Sequence, residues 1–298
     1  MRYGFAKAYA KLNLTLDVLS LRDDGFHDLR MVMQSVSLCD SVSVRISEGE
    51  GVSVVSNVRH IPNDDRNIAI KAANAFSKAC GKSFGKIDIA IEKRIPSSAG
   101  MAGGSADGAA VLRLLSGLTG ENLSDLELCE IGLTVGSDIP FCLMGGTYLA
   151  EGRGEILTPI TPLCDTIFVI GKPKRGMSTK AVFTELDSHV IEKHPDTAGM
   201  ISAIEFGDVG KVSKLVYNVF EPVVSQEVSE IGDIKTVMSE SGALCAAMTG
   251  SGSAVFGIFD DGRKANMAAA AVKALGMDAF VTRPVSSEDV KKCILCSK

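Results

Sequence analysis

The sequence predicts an α+β protein of two domains, and three observations support this. The chain has 298 residues, which is long for a single hydrophobic core. Predicted strands cluster early with few helices between them, which is not the pattern of a doubly wound parallel sheet. The composition changes near residues 157–165, so we expect one domain over residues 1–157 and a second over residues 158–298.

Composition and charge limit the class of protein. The chain is 46% hydrophobic and 22% charged, which is ordinary for a soluble globular protein, and its net charge of -5 argues against nucleic acid as a partner. No apolar segment reaches the length of a membrane span, and Lys7 and Lys11 interrupt any signal peptide. Eight cysteines are scattered along the chain, and only Cys293 and Cys296 form a Cys-x-x-Cys motif. We therefore expect a cytoplasmic protein with reduced thiols and a small-molecule partner, its oligomeric state left open.

The first domain begins with predicted strands. Residues 8–18 alternate, which predicts a strand with one apolar face and one face that carries Lys11 and Asn13. Asp24-Gly25 predicts a turn in the loop 21–28. More strands are predicted over residues 31–38, 42–46 and 52–55. A helical pattern then runs from residue 67 to residue 79 and stops at Gly81.

A glycine-rich loop between a strand and a helix is the most informative segment. Alternating apolar residues predict a strand over residues 86–95, and an apolar face at helical spacing follows from residue 106. Glycines let backbone N–H groups approach an anion, and a helix start adds unpaired donors and a positive dipole end. We expect a phosphate cradle made of Pro96, Ser97, Ser98, Ala99, Gly100, Met101, Ala102, Gly103, Gly104, Ser105 and Ala106.

The cradle is not one of the commonest nucleotide motifs. It lacks the Gly-Lys-Ser/Thr ending of a Walker A loop, and its glycines do not fit the Rossmann spacing. A tight turn without a ligand remains the alternative. Asp107, just after the loop, either reaches a metal ion or complements the helix dipole. The sequence does not identify metal ligands.

The remaining elements follow from local signals. Ser124 to Glu127 form a capping box that opens a helix ending at Gly136, and a new element begins at residues 137–140. A short strand at residues 147–150 lies between glycine turns. In the second domain we expect a strand at 166–171, helices within 179–240, a glycine-rich turn at 248–253, a strand at 254–259, a helix at 265–275 and a strand at 279–281.

Asp138 is the best candidate for a catalytic carboxylate. Phosphoryl transfer needs an anion cradle, positive charge near the transferred group, and a group that orients or deprotonates the acceptor. Mg²⁺ would supply most of that charge, and Lys11 would keep Asp138 ionised if the two side chains meet. The alternatives are a helix N-cap at Asp138, with Pro140 in the first turn, and a solvated Lys11. Whether Asp138 is a true base or an orienting group stays open.

Phe26 and His27 form a second candidate site. An aromatic ring beside a hydrogen-bonding heterocycle can stack on a nucleobase and read its edge. A packed loop aromatic with a surface histidine is the alternative.

Several segments together resemble the GHMP small-molecule kinases over nearly the whole chain. The loop at residues 96–106 is similar to the ATP loop that all members share. The Gly-Phe-His segment at residues 25–27 and the Glu-Gly-Arg-Gly-Glu run at residues 151–155 resemble one branch of the family. The other similar segments are the opening motif at 10–14, the substrate-side signature at 24–29, the catalytic aspartate segment at 136–141 and the third motif at 248–253.

The resemblance implies a fold and an activity. The fold is a two-domain GHMP kinase with a ribosomal-protein-S5-like N-terminal domain and a ferredoxin-like C-terminal domain. The activity uses ATP and Mg²⁺ and, in this branch, phosphorylates the 2-hydroxyl of 4-diphosphocytidyl-2-C-methyl-D-erythritol in the non-mevalonate isoprenoid pathway. The alternatives are a GHMP kinase with another acceptor, such as homoserine or mevalonate, and a binding protein that kept the fold without catalysis.

The resemblance also implies roles for individual residues. Asp138 would be the base and Lys11 its partner, Phe26 and Phe183 would enclose the cytosine, and His27 would read its edge. Further substrate contacts are implied for Asn13, Thr249, Gly250 and Ser251. The sequence departs from the family at Phe26, where tyrosine is usual, and at Met101-Ala102, where many relatives have Leu-Gly.

Overall fold

The computed structural model describes residues 2–163 and 165–297, which form two sheets with their helices. The strands are β1 (Arg2–Leu21), β2 (His27–Ser47), β3 (Val52–Ser56), β4 (Lys86–Glu92), β5 (Thr147–Gly152), β6 (Ile156–Pro159), β7 (Ile167–Lys172), β8 (Tyr217–Asn218), β9 (Cys245–Met248), β10 (Val255–Phe259), β11 (Asp278–Thr282) and β12 (Cys293–Ser297). The helices are α1 (Ile68–Cys80), α2 (Gly103–Thr119), α3 (Asp125–Leu133), α4 (Ile139–Met144), α5 (Thr179–Leu186), α6 (Thr197–Glu205), α7 (Val209–Leu215), α8 (Glu221–Glu227), α9 (Glu230–Glu240), α10 (Gly262–Ala274) and α11 (Ser287–Lys291).

The larger sheet is built on two strands that are longer than the sequence pattern predicts. Its strand order is β12-β1-β2-β4-β3. In addition, β5 pairs with β2, β6 pairs with β5, and β8 pairs with β1. Register shifts in the β1–β2 pair, such as that between Tyr9 and Ala10, let the long strands continue past the point where alternation breaks. Residues 10–18 of β1 are buried on both faces, so the predicted polar face of this strand lies inside the protein.

Helices α1 and α2 cover one face of the larger sheet. Phe76 of α1 and Leu112 of α2 share a buried core with isoleucines of β4 such as Ile89. The Asn67 side chain caps α1 by accepting a hydrogen bond from the Ala69 N–H, and Gly81 ends the helix in the left-handed region. Helix α2 begins at Gly103, inside the predicted phosphate cradle and three residues before the predicted start.

The smaller sheet confirms the ferredoxin-like expectation. Its order is β11-β7-β10-β9, with every neighbouring pair antiparallel. Helices α9 and α10 pack on it, and Ile234 and Val272 meet β7 in a common core. The two-domain α+β fold is thus confirmed. The division after residue 157 stays a prediction, since β8 and β12 follow that point and both pair with β1.

Some elements have no clear signal in the sequence. Strands β6, β8, β9 and β12 are short, and β12 joins the larger sheet as the antiparallel neighbour of β1. The helix predicted to end at Gly136 instead ends at Leu133. Across the two described ranges, every helix is too short or too polar to cross a bilayer.

Candidate active site

One cavity of about 940 Å³ contains most of the predicted site, with lining residues from both halves of the chain. This volume lies at the upper end of the usual range for small-molecule sites. Basic side chains outnumber acidic ones among the described lining residues, although the chain is acidic as a whole. The cavity therefore favours an anionic ligand. Its charged lining residues are Lys11, Arg66, Lys93, Arg153 and Lys180 against Asp107, Asp138 and Asp187.

The predicted phosphate cradle lines this cavity and packs against the second glycine-rich turn. The Ala254 N–H donates to the Ala99 carbonyl oxygen at 3.3 Å, and the Lys11 N–H donates to the Met101 carbonyl oxygen at 3.2 Å. A Cβ atom added to Gly100 would lie 2.1 Å from the Thr249 carbonyl oxygen. The two glycine-rich segments thus meet backbone to backbone, which only glycine permits at this position.

The cradle has the backbone geometry of an anion site. Gly100 has a φ of 73°, and Ser98 and Ala102 also adopt the left-handed region. Helix α2 then starts, and the first helical hydrogen bond at its N-terminus runs from the Ala106 N–H to the Ala102 carbonyl oxygen. The preceding N–H groups of the first turn have no helical partner and lie at the cavity, while Ala106 itself is buried behind it. Nucleotide contact by these residues stays a prediction.

Asp138 and Lys11 both line the cavity, without a direct ion pair between them. Asp138 occupies the N-cap position of α4, with Pro140 in the first turn, yet its side chain makes no capping hydrogen bond. The backbone thus fits the N-cap alternative, while the carboxylate lines the cavity instead. Lys11 is only 5% exposed, so the alternative of a solvated lysine is wrong. Burial lowers the pKa of Lys11, and the nearby Asp138 carboxylate opposes that shift.

Two predicted substrate contacts lie beneath the cavity wall. The Asn13 N–H donates to Thr249 Oγ1 at 2.9 Å, and Asn13 Oδ1 accepts a hydrogen bond from Lys11 Nζ at 2.6 Å. Both side chains are buried, which gives them a supporting position, and direct substrate contact stays a prediction. Gly250 and Ser251 do line the cavity. Asn218 holds their turn by donating to the Gly250 carbonyl oxygen at 2.8 Å, a role that no sequence pattern indicated.

The aromatic residues gather at one end of the cavity. Phe26 is half exposed, and the Arg153 guanidinium lies 4.7 Å from the centre of its ring. The His27 ring stacks on Phe183, with centroids 4.8 Å apart. Phe26, His27 and Phe183, which the resemblance implies as cytosine contacts, all line the cavity, and His27 covers one face of Phe183. The enclosure of a base by Phe26 and Phe183 stays a prediction.

A buried charge cluster beneath the cradle was missed by sequence reasoning. Lys93 Nζ donates to Asp40 and, at 2.7 Å, to Asp107, and these three side chains are at most 6% exposed. Asp40 Oδ1 also accepts the Ile95 N–H at 2.8 Å, which ties β2 to the start of the cradle. Asp107, for which the sequence left a metal contact or the helix dipole open, lies against the Lys93 ammonium in the structure. Burial raises the pKa of Asp107 to about 7, and Lys93 opposes the shift.

We expect Asp107→Asn to change how stability depends on pH. At pH values between the ordinary carboxyl pKa and about 7, Asp107 is protonated in the folded protein and ionised in the unfolded chain. A rise in pH through this range therefore destabilises the wild type. Asparagine does not titrate, so the variant lacks this loss of stability. The difference in free energy of unfolding, variant minus wild type, should increase by ~2 kcal/mol as the pH is raised from about 5 to about 8. Urea unfolding across this range measures it. Asp233→Asn, an exposed carboxylate on α9, is the control, and a pH-independent difference for Asp107→Asn contradicts the assignment.

Comparison with known proteins places the chain in a family. Residues 67–146 match the family model described as the GHMP kinases N terminal domain, and residues 200–276 match the GHMP kinases C terminal model. A protein of Clostridium acetobutylicum named 4-diphosphocytidyl-2-C-methyl-D-erythritol kinase is 43% identical over 94% of this chain and 99% of its own. One of the same name from Caldicellulosiruptor saccharolyticus is 44% identical over 95% of this chain and 97% of its own.

Solved structures agree with this placement. A crystal structure of 4-(cytidine 5'-diphospho)-2C-methyl-D-erythritol kinase has a TM-score of 0.78 and 28% identity, covering 94% of this chain and 98% of its own. Homoserine kinase from Cytophaga hutchinsonii has a TM-score of 0.76 at 18% identity, covering 99% of this chain and 97% of its own, and so shares the fold. With both family models matched and relatives above 40% identity along nearly its whole length, the chain belongs to the GHMP kinase family.

Proposed function

We propose that the protein transfers the γ-phosphoryl group of ATP to the 2-hydroxyl of 4-diphosphocytidyl-2-C-methyl-D-erythritol, a step of the non-mevalonate isoprenoid pathway. The names of the relatives at 43–44% identity support this acceptor. One structural observation carries the proposal. A single cavity joins the glycine-rich cradle and Asp138 to an aromatic end that contains Phe26, His27 and Phe183. A phosphate donor and a nucleobase-bearing acceptor would each find suitable groups in it.

The residues of this chain would divide the work between binding and proton transfer. Unpaired N–H groups of the cradle and the first turn of α2 would hold the triphosphate. The Asp138 side chain makes no capping hydrogen bond and lines the cavity, which leaves its carboxylate available to the acceptor hydroxyl. The Lys11 ammonium beside it would stabilise the charge that develops as the hydroxyl loses its proton.

Mg²⁺ is proposed as the cation that accompanies the nucleotide. The described residues contain no cluster of three metal-ligating side chains. Kinases commonly hold Mg²⁺ largely through the phosphates of the nucleotide with few protein ligands, and Ser105, which lines the cavity at the start of α2, would be one such ligand. When bound, the ion would neutralise charge on the phosphate oxygens.

The cellular setting and the domain division are also proposals. The seven described cysteines are all unpaired, which supports a reducing compartment such as the cytoplasm. The two family models match on either side of residue 157, which supports a division near that point.

An acceptor competition tests the function. The purified protein is incubated with ATP, Mg²⁺ and one acceptor at a time: the cytidyl diphosphate sugar alcohol, mevalonate or homoserine. We expect kcat/KM for the cytidyl acceptor to exceed the others by at least 10³-fold, because only that acceptor fills the aromatic end. Mass spectrometry of the product and ADP release measure it. Preferred turnover of mevalonate or homoserine, or no turnover of any acceptor, would contradict the proposal.

A further inference from the structure

His27 is held by two residues of one helix. Helix α5 presents Phe183, and Asp187 follows one turn later at its C-cap position. The Phe183 ring stacks on the imidazole of His27, and Asp187 Oδ1 lies 2.7 Å from His27 Nε2. The imidazole is therefore only 9% exposed, although it begins β2 next to an exposed loop. Helix α5 thus contacts one face of the His27 ring through Phe183 and one edge through Asp187. These contacts fix the position of the ring and decide which of its nitrogens carries a hydrogen.

The contact with Asp187 determines which ring nitrogen carries the hydrogen. An ionised carboxylate can only accept hydrogen bonds, so Nε2 must be the donor. In the neutral imidazole, Nδ1 is then an acceptor. Within the described ranges Nδ1 has no hydrogen-bond partner, and His27 lines the cavity. The ring thus offers an acceptor at the aromatic end of the site.

We propose that Asp187 is a positioning residue that fixes His27 as a hydrogen-bond acceptor and thereby selects a cytidyl over a uridyl acceptor. The proposal rests on the proposed function. Cytosine carries an exocyclic amino group, which donates, where uracil carries a carbonyl oxygen, which accepts. His27 Nδ1 can accept a hydrogen bond from the amino group of cytosine. It would face the carbonyl oxygen of uracil, which is also an acceptor, so the two lone pairs would repel each other. A polar mismatch in a desolvated site discriminates strongly, because the buried group is left unpaired.

Asp187→Asn tests the selection by kinetics. The amide can donate to Nε2 as well as accept from it, so the imidazole can also carry its hydrogen on Nδ1 and donate to the uracil carbonyl oxygen. We expect the wild type to prefer the cytidyl acceptor by at least ~10²-fold in kcat/KM, and the variant to lose at least ~10-fold of that preference. Glu185→Gln on the same helix is the matched control, since Glu185 is as exposed as Asp187 but contacts His189. An unchanged preference in Asp187→Asn overturns the proposal.

Nitrogen NMR of the histidine rings gives a second readout that needs no substrate. In the wild type, His27 should carry its hydrogen on Nε2 and leave Nδ1 without one, and the signal is assigned by its loss in His27→Gln. Asp187→Asn should shift the tautomer toward Nδ1–H, whereas Glu185→Gln should not. A hydrogen on Nδ1 in the wild type overturns the proposal. If the tautomer is as expected but neither acceptor is phosphorylated, the proposed function fails and the base selection falls with it.

Discussion

Asp138→Asn is expected to lower kcat for phosphoryl transfer by about 10²–10⁴-fold while ATP affinity stays near the wild-type value. The carboxylate lines the cavity without a capping hydrogen bond, and the buried Lys11 ammonium lies close to it. An amide cannot take up the proton of the acceptor hydroxyl and no longer compensates the charge of Lys11. Steady-state kinetics and calorimetric titration with an ATP analogue measure the two effects separately.

The control for this variant removes a carboxylate elsewhere. Asp125→Asn breaks ion pairs with Arg113 and Lys291 outside the cavity and should lower stability without changing kcat. Circular dichroism and thermal melting confirm that each variant is folded. A wild-type rate in Asp138→Asn would show that transfer does not use this carboxylate. A wild type that binds ATP but phosphorylates no acceptor would favour a non-catalytic binding protein.

Gly100→Ala is expected to weaken ATP binding by at least ~100-fold or to prevent the cradle from forming. The added Cβ would lie 2.1 Å from the Thr249 carbonyl oxygen, and the φ of 73° is unfavourable for any residue with a Cβ. The two glycine-rich segments would have to separate, and the first turn of α2 would move with them. Nucleotide titration and urea unfolding measure the loss of affinity and of stability.

Gly120→Ala is a control that introduces the same backbone strain as Gly100→Ala without a steric clash. Gly120 has a φ of 81° at the end of α2, and nothing lies within 4 Å of the position of its added Cβ. This variant should lose only about 1–2 kcal/mol of stability and keep its affinity for ATP. If Gly100→Ala also bound ATP normally, the rigid contact between the two glycine-rich segments would play no part in nucleotide binding.

Local signals in the sequence predict those features that depend on neighbouring residues. The alternation in β4, the capping box of α3 and the glycines at the start of α2 are each visible within a few residues, and each is found in the structure. The α+β class follows from the order of such elements. The cradle could be recognised because a strand, a glycine-rich loop and a helix follow each other directly in the chain.

Contacts between distant segments could not be predicted from local patterns. Lys11 looks like a solvated residue on an amphipathic strand, but in the structure it is buried beside Met101 of the cradle and near Asp138 and Cys142, which lie far away in the sequence. The cluster of Asp40, Lys93 and Asp107 joins β2, the end of β4 and α2, so no spacing in the sequence reveals it. Asp187 likewise meets His27 only because α5 crosses to the start of β2.

A crystal structure with both a non-hydrolysable ATP analogue and the cytidyl acceptor tests the central claim most directly. We expect the triphosphate to contact backbone N–H groups of residues 97–105 and the acceptor 2-hydroxyl to lie within hydrogen-bond reach of Asp138, about 2.6–3.2 Å. The hydroxyl oxygen should face the terminal phosphorus in line with the leaving oxygen. A triphosphate bound away from this loop, or an acceptor hydroxyl that points away from Asp138, would contradict the account.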